Sequence, residues 1–322
     1  MNVPIPVGLI GLGRHGSRYL QHLVKDQTGG KLVAISRKHR DEGRRLATHH
    51  RVRFFPDYRD LIADSAISAV LVVTPPSLNV PIALEAIEHG KAILLEKPLS
   101  LNSKEGQHIV DAAKHAGVPI MTAHTLRYEP ALHKLREIGS TLGPWQSLAG
   151  TMRLEAQPQD IMAKGTTPGV LLEFGVHLLD WIRVVTQEEI LTVSAEMTGP
   201  SPNTPEQRSE VTLTTLSGIP CHLDISRVNM GRVTHVEIVG TKGRVKADWT
   251  NGVVQTFKQQ GTLISQDLVP ATPTLIPMLR DFFHALQTQE PVPITGEEGL
   301  RAVKLAEACY QAAQTGQTIY LK

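Results

Sequence analysis

Only two cysteines, Cys221 and Cys309, occur in 322 residues, far apart and in no CxxC pair. The chain therefore offers neither a disulfide framework nor a zinc site. Long apolar runs are missing too. The longest, roughly Ala66 to Val73, is broken by Ser68, whereas a membrane-spanning helix needs about 20 apolar residues. The first residues lack a basic segment leading into an apolar core and a small-residue cleavage site, so no secretory leader is expected. Charge of one sign is not in excess: 33 basic residues face 31 acidic ones, a formal balance of +2. The one basic concentration is Arg37-Lys38-His39-Arg40, continuing to Arg44, Arg45 and Arg51. Asp41 and Glu42 interrupt it and no aromatic residue interleaves with it. A nucleic-acid surface would need a broader basic face or stacking aromatics. The expectation is a cytoplasmic protein with no nucleic-acid partner, no membrane partner and no metal.

A chain of 322 residues that is 41% hydrophobic is too long for one ordinary core and predicts two domains. From residue 3 to about 121, short apolar runs alternate with helix-like segments. The runs are Val7–Ile10, Leu32–Ile35, Val52–Phe55, Ala69–Val73, Ala92–Leu95 and Pro119–Met121; helices are expected near 16–26, 40–49, 57–64, 79–89 and 104–116. Apolar strands without internal alternation suit a sheet covered on both faces. Strands alternating with helices predict a parallel, doubly wound sheet of the dinucleotide-binding kind. Asn102-Ser103-Lys104-Glu105 reads as a helix cap.

After about residue 123 the pattern changes. A helix near 129–138 precedes strand-like alternation at 147–156, a Gly/Pro/Thr loop at 164–169 and an apolar helix at 170–185. Strands follow at 191–198, 210–216, 220–228, 233–239, 243–249 and 252–257, separated by turns such as Ser217-Gly218, Thr241-Lys242-Gly243 and Thr250-Asn251-Gly252. Consecutive strands with tight turns predict a largely antiparallel sheet. Helices near 273–287 and 296–314 close the chain. The fold expected is α/β followed by α+β: a Rossmann domain over 1–123, then a mostly antiparallel substrate and oligomerisation domain over 124–322.

Gly11-Leu12-Gly13-Arg14-His15-Gly16 follows the first apolar run and opens a helix, the context in which a GxGxxG string carries meaning. Gly11 permits the tight turn, Gly13 lets backbone approach a pyrophosphate and Gly16 permits close helix packing. The helix start offers unpaired N–H groups and a positive dipole end. At the end of the second strand, where an NAD site usually carries Asp or Glu, stand Ser36-Arg37-Lys38. Arg37 can clamp a 2′-phosphate and Ser36 can donate a hydrogen bond to it, which favours NADP over NAD. Further along lie Leu95-Glu96-Lys97-Pro98 and Glu173-Phe174-Gly175-Val176-His177-Leu178-Leu179-Asp180. Glu173, His177 and Asp180 share one face if that segment is helical.

With these residues in order, the chain resembles the Gfo/Idh/MocA family of NAD(P)-dependent oxidoreductases over nearly its whole length. Gly11–Gly16 fits the nucleotide turn and Val72-Val73-Thr74-Pro75-Pro76 the segment after the fourth strand. Glu96-Lys97-Pro98 fits the family tripeptide, Arg127-Tyr128-Glu129-Pro130 its Arg-aromatic-x-Pro segment, Gly175-x-His177-x-x-Asp180 its second-domain motif, and Val239-Gly240-Thr241-Lys242-Gly243 a later one. The resemblance implies oxidation or reduction of a sugar, cyclitol or related polyol and a homodimer or homotetramer. It puts Lys97 beside the nicotinamide and the substrate hydroxyl, and makes His177 the proton acceptor. That chemistry is sound in itself, since removing hydride from a secondary alcohol requires its proton to leave.

Arg14, His15, Thr74, Pro75 and Glu96 join the expected cofactor contacts. The resemblance also makes Glu173 a catalytic residue that binds substrate or orients the base. With it, Arg127, Tyr128 and Asp180, with His124 nearby, join the expected substrate contacts, although an Arg/Tyr pair can equally be structural. Two positions depart from the family pattern: Glu173 stands where Asp is common, and Asn79 where His is common. Two other readings use the same scaffold. One is transient oxidation that cleaves a glycosidic bond with retained NAD. The other is a dinucleotide-sensing regulator, which would need neither Lys97 nor His177.

Overall fold

The structure, a computed structural model, describes residues 3–155, 168–199, 204–228 and 231–321. The chain packs as two compact units, one of residues 1–124 with 273–303, the other of 125–272 with 304–322. It thus passes between the units more than once, against the single crossing near residue 123 expected from the sequence.

The first unit holds strands β1 (Ile5–Ile10), β2 (Gly30–Ser36), β3 (Arg53–Phe55), β4 (Ala69–Val72), β5 (Ala92–Leu95) and β6 (Ile120–Thr122). They form one sheet in the order β3-β2-β1-β4-β5-β6, parallel throughout. This is the doubly wound dinucleotide-binding order, with its switch point between β1 and β4. Every position of β4 and β5 is buried, which is why these runs show no polar alternation. Helices α1 (Arg14–Lys25), α2 (Arg40–His50), α3 (Tyr58–Ala63), α4 (Asn79–Glu88) and α5 (Ser103–Ala116) fill the connections. Asn102 caps α5, its side-chain oxygen accepting from the Glu105 N–H at 2.9 Å.

The late helix α8 (Leu275–Thr288) belongs to this unit. It buries Phe282 and Phe283. Its Arg280 donates to the Gln27 carbonyl at 3.2 Å and its Gln287 to the Val3 carbonyl at 3.2 Å.

The second unit is built on a nine-stranded sheet. Its strands are β7 (Trp145–Glu155), β8 (Ile190–Thr198), β9 (Arg208–Thr215), β10 (Pro220–Val228), β11 (Val233–Gly240), β12 (Gly243–Asp248), β13 (Val253–Phe257), β14 (Leu263–Leu268) and β15 (Ile319–Tyr320). The order is β14-β13-β12-β11-β7-β10-β9-β8-β15, antiparallel except where β10 runs parallel to β7. Burial alternates along β9, β11 and β12. One face carries the core with helices α6 (Pro130–Gly139), α7 (Val176–Thr186) and the C-terminal part of α9 (Gly296–Thr315).

Strands β14 and β15 go beyond the sequence expectation. The segment expected as one helix over 170–185 opens with a wider π-type turn, Leu171–Gly175, before α7. Most of the expected Gly/Pro/Thr loop, 164–167, lies outside the described residues. Among those residues, no helix is long and apolar enough to cross a membrane. Both cysteines are unbridged and buried. Burial pushes the Cys221 thiol up to about 12, so it is inert at neutral pH.

Candidate active site

In an open parallel sheet, ligands bind outside the carboxyl ends of the strands at the switch point. Here those ends are tied to one another by backbone hydrogen bonds. The Gly11 N–H donates to the Ser36 carbonyl at 3.0 Å, Val73 N–H to Ile10 carbonyl at 2.8 Å, Glu96 N–H to Val72 carbonyl at 3.0 Å, and Ala123 N–H to Leu95 carbonyl at 2.9 Å. The glycine turn, Ser36-Arg37, Thr74-Pro75 and Glu96-Lys97 therefore sit side by side on one edge of the first unit.

The turn fits a dinucleotide. Gly11 has φ +91°, and a Cβ there would stand 2.2 Å from the Val73 carbonyl oxygen. A Cβ on Gly16 would stand 2.0 Å from the Gly11 carbonyl oxygen, whereas one on Gly13 would meet nothing within 4 Å. Helix α1 starts here with no side-chain cap and no acidic residue in its first turn. Open space in front of uncompensated N–H groups is what a pyrophosphate requires.

Glu96 organises the neighbouring loop. It is 6% exposed. Its Oε1 accepts from Tyr19 Oη at 2.6 Å and bonds His15 Nε2 at 2.6 Å, while Oε2 accepts from the Lys97 N–H at 3.1 Å. Burial alone would raise the Glu96 carboxyl. The bond and charge of His15, the charge of Lys97 and the Tyr19 hydroxyl outweigh it and hold the group below the usual carboxylate range. Burial pushes the Tyr19 phenol well above its ordinary value, and the Glu96 charge adds to that.

Asn79, fully buried, donates to the carbonyls of Glu96 at 3.2 Å and Pro98 at 2.8 Å. The family departure at this position thus holds the backbone on either side of Lys97. Arg37 is 11% exposed in its side chain and pairs with Glu42 at 2.7 Å.

In the second unit, His177 stands half-buried in the first turn of α7, among buried Val176, Leu178 and Leu179. Glu173 and Asp180 do not act as one stripe. Asp180, fully buried, takes Arg127 in a two-pronged ion pair at 2.7 and 2.5 Å. Glu173 pairs with Arg227 of β10, whose guanidinium lies 5.5 Å from the Phe174 ring centre. Tyr128 sits half-buried in the same turn as Arg127, Thr125–Tyr128. His124, the last residue of the first unit's leading segment, is fully buried.

Sequence reasoning missed Tyr19, Glu42 and Arg227. Tyr19 was visible as the i+4 neighbour of His15 on α1. Arg227 left only a weak sign, a charge near the end of an alternating strand. Among the described residues, no group of three or more His, Cys, Asp or Glu side chains could hold a metal ion.

A model of the oxidoreductase family's NAD-binding Rossmann fold matches residues 5–124, and the model of that family's C-terminal alpha/beta domain matches residues 153–321. The chain belongs to the Gfo/Idh/MocA oxidoreductase family. This oxidoreductase is 26% identical over 336 residues to an uncharacterised oxidoreductase, YrbE, of Bacillus subtilis, covering all of this chain and 98% of that one. It is 27% identical over 334 residues to myo-inositol 2-dehydrogenase of Thermotoga maritima, covering 98% of each. Its fold matches scyllo-inositol dehydrogenase from Lactobacillus casei, solved with NAD(H) and scyllo-inositol, with a TM-score of 0.83 at 20% identity, covering 98% of this chain and 99% of that one.

Proposed function

We propose that this chain is a cytoplasmic dehydrogenase or reductase that moves a hydride between NADP(H), with NAD(H) as the lesser cofactor, and a sugar- or cyclitol-like secondary alcohol or its ketone. The observation that carries the reading is the place of Lys97. It leaves the exit of β5 with its backbone N–H on the Glu96 carboxylate, which His15 of the glycine turn and Tyr19 of α1 also hold. An ammonium beside a dinucleotide turn suits an alcohol oxidation. The Thermotoga relative, named for myo-inositol, supports a polyhydroxylated ring as substrate.

When bound, the dinucleotide supplies the hydride acceptor or donor. Lys97 orients the substrate oxygen and stabilises negative charge developing on it. His177 takes the hydroxyl proton in oxidation and returns it in reduction, a task suited to an imidazole, which can both accept and donate a proton. Arg127, Tyr128, Glu173 and Asp180 bind substrate hydroxyls or hold the groups that do, the Asp180–Arg127 and Glu173–Arg227 pairs fixing their directions. Gly11, Gly13, Arg14, His15, Gly16, Thr74 and Pro75 hold the pyrophosphate side, and Ser36 with Arg37 holds the 2′-phosphate. The chain works as a homodimer or homotetramer through the open face of its large sheet.

The test follows nicotinamide absorbance with NADP⁺ or NAD⁺ and a panel of sugars and cyclitols, and with NADPH or NADH and keto-sugars. Lys97→Ala and His177→Ala run beside the unaltered protein. The expected result is turnover that falls by about 10²- to 10³-fold in Lys97→Ala and in His177→Ala. Full activity in either variant would remove that residue from the mechanism. Absence of turnover across the panel, with firm dinucleotide binding, would count against the reading and favour the transient-oxidation enzyme or the dinucleotide sensor.

A further inference from the structure

The Arg37 side chain is not poised in solvent for a phosphate. It is folded against the protein, 11% exposed, with its Nη2 2.7 Å from Glu42 Oε2, and Glu42 itself is 45% exposed. The positions of both partners are fixed. The Ser36 carbonyl accepts from Gly11, which ties the exit of β2 to the glycine turn. Glu42 lies in the first turn of α2. The next residue, Gly43, packs so closely on β3 that a Cβ there would stand 2.2 Å from the Phe54 ring, so the start of α2 lies tight against the strand next to β2. A carboxylate thus reaches the exit of β2, although none stands there in the sequence.

In this architecture the adenosine ribose lies at that exit, where an acidic side chain receives the 2′-hydroxyl or an arginine receives the 2′-phosphate. This chain presents both groups, joined to each other. From that geometry we propose that Glu42 is a cofactor-specificity residue that acts through Arg37. Its carboxylate competes with the 2′-phosphate for the guanidinium, so that NADP(H) opens the pair and NAD(H) leaves it closed. The result is a moderate preference that sequence at the β2 exit alone overstates. The inference rests on the reading of Arg37 as the phosphate clamp.

The test is calorimetric titration of the ligand-free protein with NADPH and with NADH, for the unaltered chain, Glu42→Gln, Arg37→Ala and the double variant. Glu42→Gln removes the competitor for the Arg37 guanidinium, so it raises the NADPH-to-NADH affinity ratio about fivefold. In the Arg37→Ala background the same change has at most a third of that effect. A ratio in Glu42→Gln within twofold of the unaltered protein overturns the inference. An equal gain with and without Arg37 also overturns it, because Glu42 would then act by direct repulsion. If Arg37→Ala lowers the ratio while Glu42→Gln leaves it unmoved, only the role of Glu42 falls. If Arg37→Ala leaves the ratio unchanged, the phosphate clamp falls and the inference falls with it.

Discussion

Glu96 shows how one side chain carries structure and site together. A carboxylate that is 6% exposed survives only because its oxygens are served by Tyr19, His15 and the Lys97 N–H, since an unpaired buried charge is severely penalised. Its pKa lies below the usual range in the folded chain. Its contribution to stability is therefore complete above the unfolded value, about 4.3, and is lost as pH falls through the lower folded value. Tyr19→Phe removes one donor and raises the folded pKa towards the unfolded one. At neutral pH the variant is less stable by about 1–3 kcal/mol. The gap between the two melting curves, followed downward from about pH 8, narrows only as pH falls through the lowered folded value of the unaltered protein, below which the carboxyl is neutral in both proteins. A gap that stays constant with pH would mean that the hydroxyl acts on packing and not on the carboxylate. Asn79 teaches a related lesson about legibility. The sequence marked it as a departure from the family but gave no direction, because its partners are the carbonyls of residues 96 and 98, contacts that only the folded loop creates.

At the scale of elements, the turn between β1 and α1 separates two demands that one motif combines. The Gly16 hydrogen stands in for a Cβ that would press on the Gly11 carbonyl, and the Gly13 hydrogen faces open space. Gly16→Ala destabilises the ligand-free protein by about 1–3 kcal/mol, the usual cost of overpacking. Gly13→Ala costs that protein under about 1 kcal/mol, the difference between glycine and alanine at a helix N-cap. Titration with NADPH reverses the order of interest: Gly13→Ala loses at least about tenfold in affinity, because its methyl occupies the pyrophosphate's approach. A Gly13→Ala protein that binds normally would show that the turn does not hold the cofactor.

The parallel half was legible because buried strands and helices alternate at short range. The antiparallel hairpins were legible from their Gly turns. Edge strand β14 was not, since nearly every one of its residues is exposed and a strand without a buried face leaves no alternation. The β7–β10 parallel pairing joins segments some seventy residues apart, and pattern records no partner. Helix α8 likewise advertised an apolar stripe but not which sheet it covers.

At the scale of the molecule, the nine-stranded sheet has β7 as its middle strand. On the face away from the core, Ala149 of β7 lies between Glu237 of β11 and His222 of β10. The charges around it are already matched: Arg153 with Asp224, and Arg244 with Glu237 at 3.2 Å. A face of paired charges around a small central residue is suited to meeting a copy of itself, since an isologous contact sets each patch against the same patch. We therefore expect light scattering to report two or four times the 35.2 kDa chain mass. Ala149→Lys tests the surface. Within one chain the new ammonium gains a cross-strand partner in Glu237, so the melting temperature of the isolated chain should change little, as exposed substitutions usually alter stability by about 0.5 kcal/mol or less. Across a two-fold axis near β7, however, each lysine would confront its own copy in a space shaped for a methyl group. The mass then drops by a factor of two while circular dichroism is preserved. An unaltered chain that runs as a monomer would sink the oligomer, and a variant that keeps the full mass would move the interface to another face.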